Sequence, residues 1–213
     1  MSISSATKSS NHERDRAYDH LRKALPNLNW LFDATGELDL PAPSPLPVAG
    51  ALVRIIVGQM LSLAAASTIM ARLHDRAQES GSHIYDLPLD DLRAAGVSGR
   101  KAQTIGIIAQ MVRDDAGHLE TWRSLNYSDL QEAVRGVWGL GDWSAAMLGI
   151  FEFGHPNLLP LSDGSLIRAL KLVEVQYCAG EPLQHDLAAP YRSFLALTLW
   201  HALDNQILTP ERA

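Results

Sequence analysis

Gly136-Val137-Trp138-Gly139-Leu140-Gly141-Asp142-Trp143-Ser144-Ala145 is the stretch on which the reading of this chain turns. Glycines stand at alternate positions, Gly139 and Gly141. There the backbone can take positive φ, and no Cβ blocks a close partner. The run leads into a helix predicted from about Asp142 to Phe153 and closed by Gly154-His155-Pro156. Ahead of it, Ser128 is a good N-cap for a helix to Arg135. Two helices joined by so short a loop make a tight hairpin, spanning about residues 128–153. Free amides at Asp142–Ala145, with the helix dipole behind them, form a site for one phosphate. Val137 and Leu140 pack beneath the loop. A purely steric hairpin explains the glycine spacing equally well.

Outward from the hairpin the pattern is helical throughout. Residues 1–12 are Ser-rich and read as a disordered tail. A first helix is predicted over Arg14 to Leu25, stopping at Pro26. The Pro-rich run Leu40 to Pro47 is an extended connector. From Val48 to about Glu79, Leu52, Ile55, Ile56, Met60, Leu63, Ile69 and Leu73 recur at steps of three and four, as a core face does. Gly58 interrupts them, so the segment is one kinked helix or two. Further helices are predicted over Leu89–Ala94, Arg100–Val112 and from Asp163 to Tyr177. A last one, opened by Asp186 or Pro190, runs to about Asn205. No period-2 strand run is present. The fold class is all-α, with about nine or ten helices.

Composition excludes several classes. The chain has 213 residues, and Cys178 is its one cysteine, so neither a disulfide scaffold nor a four-cysteine zinc or iron–sulfur site is possible. No apolar run reaches the roughly 18–20 residues of a membrane span. The polar N-terminus shows no secretory h-region, and a cytoplasmic protein is expected, nucleoid-associated in a bacterium. The histidines show no metal-ligand spacing. Lys+Arg number 18 against 24 Asp+Glu, a net charge of −6, which opposes strong non-specific binding to a polyanion.

Five pieces in order nevertheless carry a resemblance. They are Ala51–Ser62 (ALVRIIVGQMLS), Gly99-Arg100-Lys101-Ala102, Trp138–Ala145, Ser162-Asp163 through Leu170, and Pro190-Tyr191-Arg192-Ser193 with Trp200. Together they span about residues 45–205. The chain resembles the helix-hairpin-helix (HhH-GPD) DNA glycosylase superfamily, and within it the 3-methyladenine DNA glycosylase II branch. The resemblance implies a two-lobed helical core over residues 13–213, two interleaved subdomains with the active-site cleft between them. It implies a likeness in function too: base excision repair of double-stranded DNA by hydrolysis at a flipped, alkylated purine. The protein would act as a monomer.

Residue by residue, the family's essential aspartate falls on Asp163, whose carboxylate would stabilise the oxocarbenium-like transition state and position water. On residue type alone, Asp163 reads more often as an N-cap than as a reactive carboxylate. Bifunctional members carry a Schiff-base lysine where this chain has Trp143, so no lyase activity is expected. Trp143, Trp200 and Met147 fall in the base pocket, where electron-rich rings favour a cationic purine. Gln59 or Met60 falls where the family inserts a wedge into the duplex. Gly139, Gly141, Asp142, Trp143, Ser144, Arg100 and Lys101 fall on the DNA-binding positions. The carbonyls of Arg135, Val137 and Leu140 would hold a structural Na+ or K+; no cofactor is required. The chain departs from the pattern at Trp138, where proline is usual, and at Asp142, whose charge sits beside the phosphate site. A non-catalytic DNA-binding module, and a glycosylase for oxidised or mismatched bases, are the alternatives on the same fold.

Overall fold

The computed structural model describes the backbone of residues 3–210 and the side chains from His12 to Pro210. The tail expected over residues 1–12 therefore falls, but for His12, on side chains outside the described residues. In chain order the helices are α1 (Ile3–Ala24), α2 (Asn29–Thr35), α3 (Val48–Gly58), α4 (Leu63–Ser80) and α5 (Leu89–Ala94). They continue as α6 (Gly99–Asp114), α7 (Tyr127–Arg135), α8 (Asp142–Phe151), α9 (Gly164–Tyr177) and α10 (Arg192–Asp204). Short 3-10 turns lie at Pro26–Leu28, Leu119–Ser124 and His185–Ala188. No strand occurs among the described residues. The chain divides into two compact units: Ser44–Phe153 is one, and the residues before Ser44 with those after Phe153 form the other.

The discontinuous unit is built from α1, α2, α9 and α10. Its core holds Tyr18, Phe32, Leu166, Val173, Phe194 and Leu199, all fully or almost fully buried. Tyr18 meets Phe32 and Phe194 edge to face, with centroids 5.7 and 6.2 Å away. Its hydroxyl accepts from Leu38 N at 3.0 Å. It also pairs with Thr198 Oγ1 at 3.0 Å, so the one polar atom of this aromatic cluster is satisfied. This core fixes α9 beside α10, and with them the residues at the start of α9.

The continuous unit is organised around α3. Every residue of α3 from Val48 to Val57 except Gly50 and Arg54 is buried. A helix that is apolar nearly all round must be surrounded, and α4, α6 and α8 pack against it. From the middle of α3, Arg54 pairs with the buried carboxylate of Glu152.

Several boundaries differ from the sequence reading for identifiable reasons. The break at Gly58 yields two helices, because Ser62 caps a new one by accepting from Ala65 N at 3.3 Å. The apolar period therefore does not run through: Met60 and Leu63, assigned to the core face, are exposed. Helix α7 starts at Tyr127, capped by Asn126 rather than Ser128; the Asn126 side chain accepts from Asp129 N at 3.1 Å. Helix α10 begins at Arg192, and Asp186 belongs to the preceding 3-10 turn. Helix α2 has no polar N-cap to announce it, since Leu28 stands there.

Candidate active site and nucleic-acid interface

The end of α3 forms the first part of the site. Leu61 N donates to Gly58 O at 3.2 Å, closing a turn over Gly58–Leu61. Gln59 at φ −52°, ψ 126° and Met60 at φ 56° give that turn type II geometry. The position with positive φ normally takes glycine; here it holds methionine, whose side chain is fully exposed. A non-glycine at positive φ is strained, and here the turn tip also holds its apolar side chain in water.

The side chain of the preceding residue does the opposite. Gln59 Nε2 donates to Gly139 O and to Ser144 Oγ, each at 3.2 Å, tying the Met60 turn to the hairpin. Lys101 Nζ reaches from α6 to the same turn and donates to Val57 O at 2.8 Å and Gln59 O at 2.7 Å. Lys101 thus satisfies carbonyls at the end of α3, and burial lowers the pKa of its ammonium. It was expected at DNA; two of its three donors are instead engaged inside the protein.

The hairpin itself joins α7 to α8. Leu140 N donates to Val137 O at 3.0 Å, and Gly139 takes φ 87°, so Val137–Leu140 is a second turn of the same kind. A Cβ on Gly139 would lie 2.2 Å from Thr104 Oγ1, so the loop rests on α6 at a distance only glycine allows. Val137 is buried beneath it. Gly141 caps α8 without a side-chain bond, leaving first-turn amides for an incoming acceptor. Asp142, in that first turn, does not stand as a bare charge. Arg135 Nε pairs with its Oδ1, and Arg135 Nη2 lies 2.7 Å from its Oδ2. Gln131 Nε2 adds a third bond at 3.0 Å. The Arg135 hydrogen bond holds the carboxyl below its usual range. Its repulsion of a phosphate is offset by a cation held against it.

In the other unit, Asp163 is the N-cap of α9. Its Oδ1 accepts from Leu166 N at 2.7 Å, from Trp200 Nε1 at 3.0 Å and from Ser165 Oγ. The N-cap reading therefore holds, and the same oxygen meets the Trp200 indole. Trp200, half-buried on α10, lies directly against the aspartate. Among the described residues no group of three or more His, Cys, Asp or Glu is arranged to hold a metal.

Residues 53–177 match the family model described as HhH-GPD superfamily base excision DNA repair protein. The chain belongs to this superfamily. Among its relatives is YfjP of Bacillus subtilis (strain 168), named as a DNA-3-methyladenine glycosylase; it is 26% identical over 87% of this chain and 68% of its own length. DNA-3-methyladenine glycosylase 1 of Schizosaccharomyces pombe is 27% identical over 70% of this chain and 69% of its own. Of solved structures, a Bacillus halodurans DNA-3-methyladenine glycosidase superposes with TM-score 0.69 at 25% identity, covering 90% of both chains. The Schizosaccharomyces pombe 3-methyladenine DNA glycosylase in complex with abasic DNA superposes with TM-score 0.74 at 23% identity, over 89% and 97%.

Against the HhH-GPD expectation, the structure brings together Gln59, Lys101, Gly139 and Ser144 in one unit, and Asp163 with Trp200 in the other. Trp143 is half-buried in the first turn of α8, and Met147 is buried one turn on. Thr104 and Ser165 were missed. Thr104 lies on the buried side of α6 and belongs to no motif. Ser165 follows Asp163 by two residues, and its spacing as a partner hydroxyl was legible.

Proposed function

We propose that this HhH-GPD protein is a monofunctional DNA glycosylase that removes alkylated purines, 3-methyladenine foremost, from double-stranded DNA. The observation that carries the reading is Asp163: a carboxylate fixed by three donors at a helix N-terminus, with an indole against it. The names of the relatives support the substrate class.

As the C1′–N bond breaks, positive charge grows on the deoxyribose and the base departs with the bonding electrons. The Asp163 carboxylate stabilises that charge and accepts a proton from the water that adds to C1′. The products are a free base and an abasic site. Trp200 supplies an aromatic face next to the reacting sugar; a base made cationic by alkylation is attracted to such a face. Trp143 stands where lyases carry their amine, so strand nicking does not follow. The hairpin amides after Gly139 and Gly141 take a backbone phosphate. The carbonyls of Arg135, Val137 and Leu140 would hold Na+ or K+, which would supply positive charge toward a DNA phosphate. An all-oxygen donor set of this kind suits a hard monovalent ion, and the acceptor bond at Val137 O leaves its second lone pair free. The protein works as a monomer, in the cytoplasm; no helix among the described residues is long and apolar enough to cross a membrane.

A panel of duplexes carrying 3-methyladenine, 7-methylguanine, hypoxanthine, uracil or 8-oxoguanine tests the reading, with base release and nicking scored separately. Release is expected from the alkylated purines, without nicking. Release of 8-oxoguanine alone would favour an oxidised-base enzyme, and DNA binding with no release a non-catalytic module.

Between the two wedge candidates, the geometry favours Met60, since the Gln59 amide is engaged beneath the turn. Met60→Gly should relieve the positive-φ strain and raise stability by about 0.5–1 kcal/mol. The same change should slow base release, because the side chain that fills the vacated stack is gone. Thermal melts and single-turnover rates on the same preparation check both signs. A Met60→Gly protein that is as fast as wild type would remove the wedge assignment.

A further inference from the structure

Among the described residues, Arg135, Lys101 and Arg100 stand about the hairpin, and the first two are already engaged. Arg135 is clamped on Asp142, and Lys101 on the carbonyls of Val57 and Gln59. Arg100 has no acidic partner among the described residues. Its guanidinium carbon instead lies 5.4 Å from the centroid of the Trp138 ring, and both side chains are exposed. In an acidic chain, Arg100 is a cation beside the hairpin that is still open to an anion.

We infer that Trp138 is a positioning residue that holds Arg100 over the hairpin to take a second DNA phosphate, next to the one bound by the amides after Gly139 and Gly141. The inference rests on the DNA reading above and adds a residue to it. A guanidinium drawn to a ring by cation–π attraction keeps N–H groups that can grip a phosphate with two parallel bonds. The contact restricts rotamer freedom before DNA arrives, so less is lost on binding.

The backbones are already locked together. Thr104 Oγ1 donates to Arg100 O at 3.1 Å, and the same hydroxyl abuts Gly139. Only the long Arg100 side chain needs a guide, and Trp138 supplies it. Trp138 occupies the second position of the Val137–Leu140 turn. That position favours proline in type II turns and tolerates other residues, so the ring replaces local rigidity with a platform. Trp138 is 46% exposed, so its ring is not part of the core.

The test uses the full chain, a labelled duplex bearing a stable abasic-site analogue, and binding measured across a KCl series. Arg100→Ala should weaken binding about tenfold and flatten the slope of log Kd against log salt by about one phosphate. Trp138→Ala should weaken it about two- to fivefold, the range of an exposed cation–π contact, and keep the wild-type slope, because Arg100 can still reach. Trp138→Tyr should restore affinity. Trp138→Pro should keep the turn, as melting will show, and bind like Trp138→Ala. In an Arg100→Ala background, Trp138→Ala should cost nothing more. An unchanged slope in Arg100→Ala overturns the phosphate contact. A Trp138→Ala loss that persists without Arg100 overturns the positioning role and shows the ring touching DNA itself. If wild type releases alkylated base and these variants bind like it, the inference fails while the glycosylase reading stands. A wild type that binds no duplex sinks both.

Discussion

Asp163→Asn is expected to leave the fold standing and to cut base release by at least about 10²–10³-fold, the range for losing one preorganised charge-stabilising group. Asp163 has a structural task, capping α9 through Oδ1, and asparagine caps a helix as well as aspartate does. The bonds from Leu166 N, Trp200 Nε1 and Ser165 Oγ all run to that oxygen, and an amide oxygen accepts each of them. What is removed is the negative charge and the proton acceptor, which are what an oxocarbenium-like sugar and an attacking water require. Asp163→Ala is the contrasting variant. It should lose activity too, but with a lost cap of about 1 kcal/mol and a stranded indole donor. Single-turnover release of 7-methylguanine, paired with thermal melts, separates the two effects. A wild-type rate in Asp163→Asn would leave Asp163 as a helix cap and nothing more.

The sequence carried the helices and the hairpin well, because their punctuation is local: Gly58, Gly136 to Gly141, and Asp163 ahead of Gly164. It did not carry what depends on rotation about a helix or on contacts across a loop. Arg100 and Lys101 are neighbours in one basic motif, yet Arg100 reaches Trp138 and Lys101 points back at the end of α3. A step of one residue turns the side chain by about 100° around the axis, and a motif does not encode which way the axis faces. Asp142 read as a repulsive charge because its partner, Arg135, lies across the hairpin loop, outside any helical pairing rule. Met60 read as core because nothing in a methionine announces a positive φ. Asp163 and Trp200 are 37 residues apart, and only the family resemblance set them in one site.

Gly139→Ala is expected to produce the opposite failure: a damaged platform with the reactive carboxylate untouched. Two costs add. At φ 87° an L residue is strained by about 1–2 kcal/mol. The new Cβ would also stand 2.2 Å from Thr104 Oγ1, 3.1 Å from its Cγ2 and 3.2 Å from its Cβ. The hydroxyl cannot simply swing aside, because it is bonded to Arg100 O and its methyl would take its place. The sum should reach about 2–4 kcal/mol, in line with overpacking on a rigid helix. The double variant with Thr104→Ala separates the two parts. It removes the closest contacts and should recover about 1 kcal/mol or more. It leaves the remaining Cβ contact and the φ strain, so it should still melt below Thr104→Ala alone. Functionally, displacing Gly139 breaks the Gln59 bond to its carbonyl and tilts the amides that follow. DNA affinity should therefore fall in Gly139→Ala, whereas Asp163→Asn should bind abasic-analogue duplex without catalysing release. If Gly139→Ala melts and binds like wild type, the hairpin is not a rigid phosphate platform, and DNA must be held elsewhere on the chain.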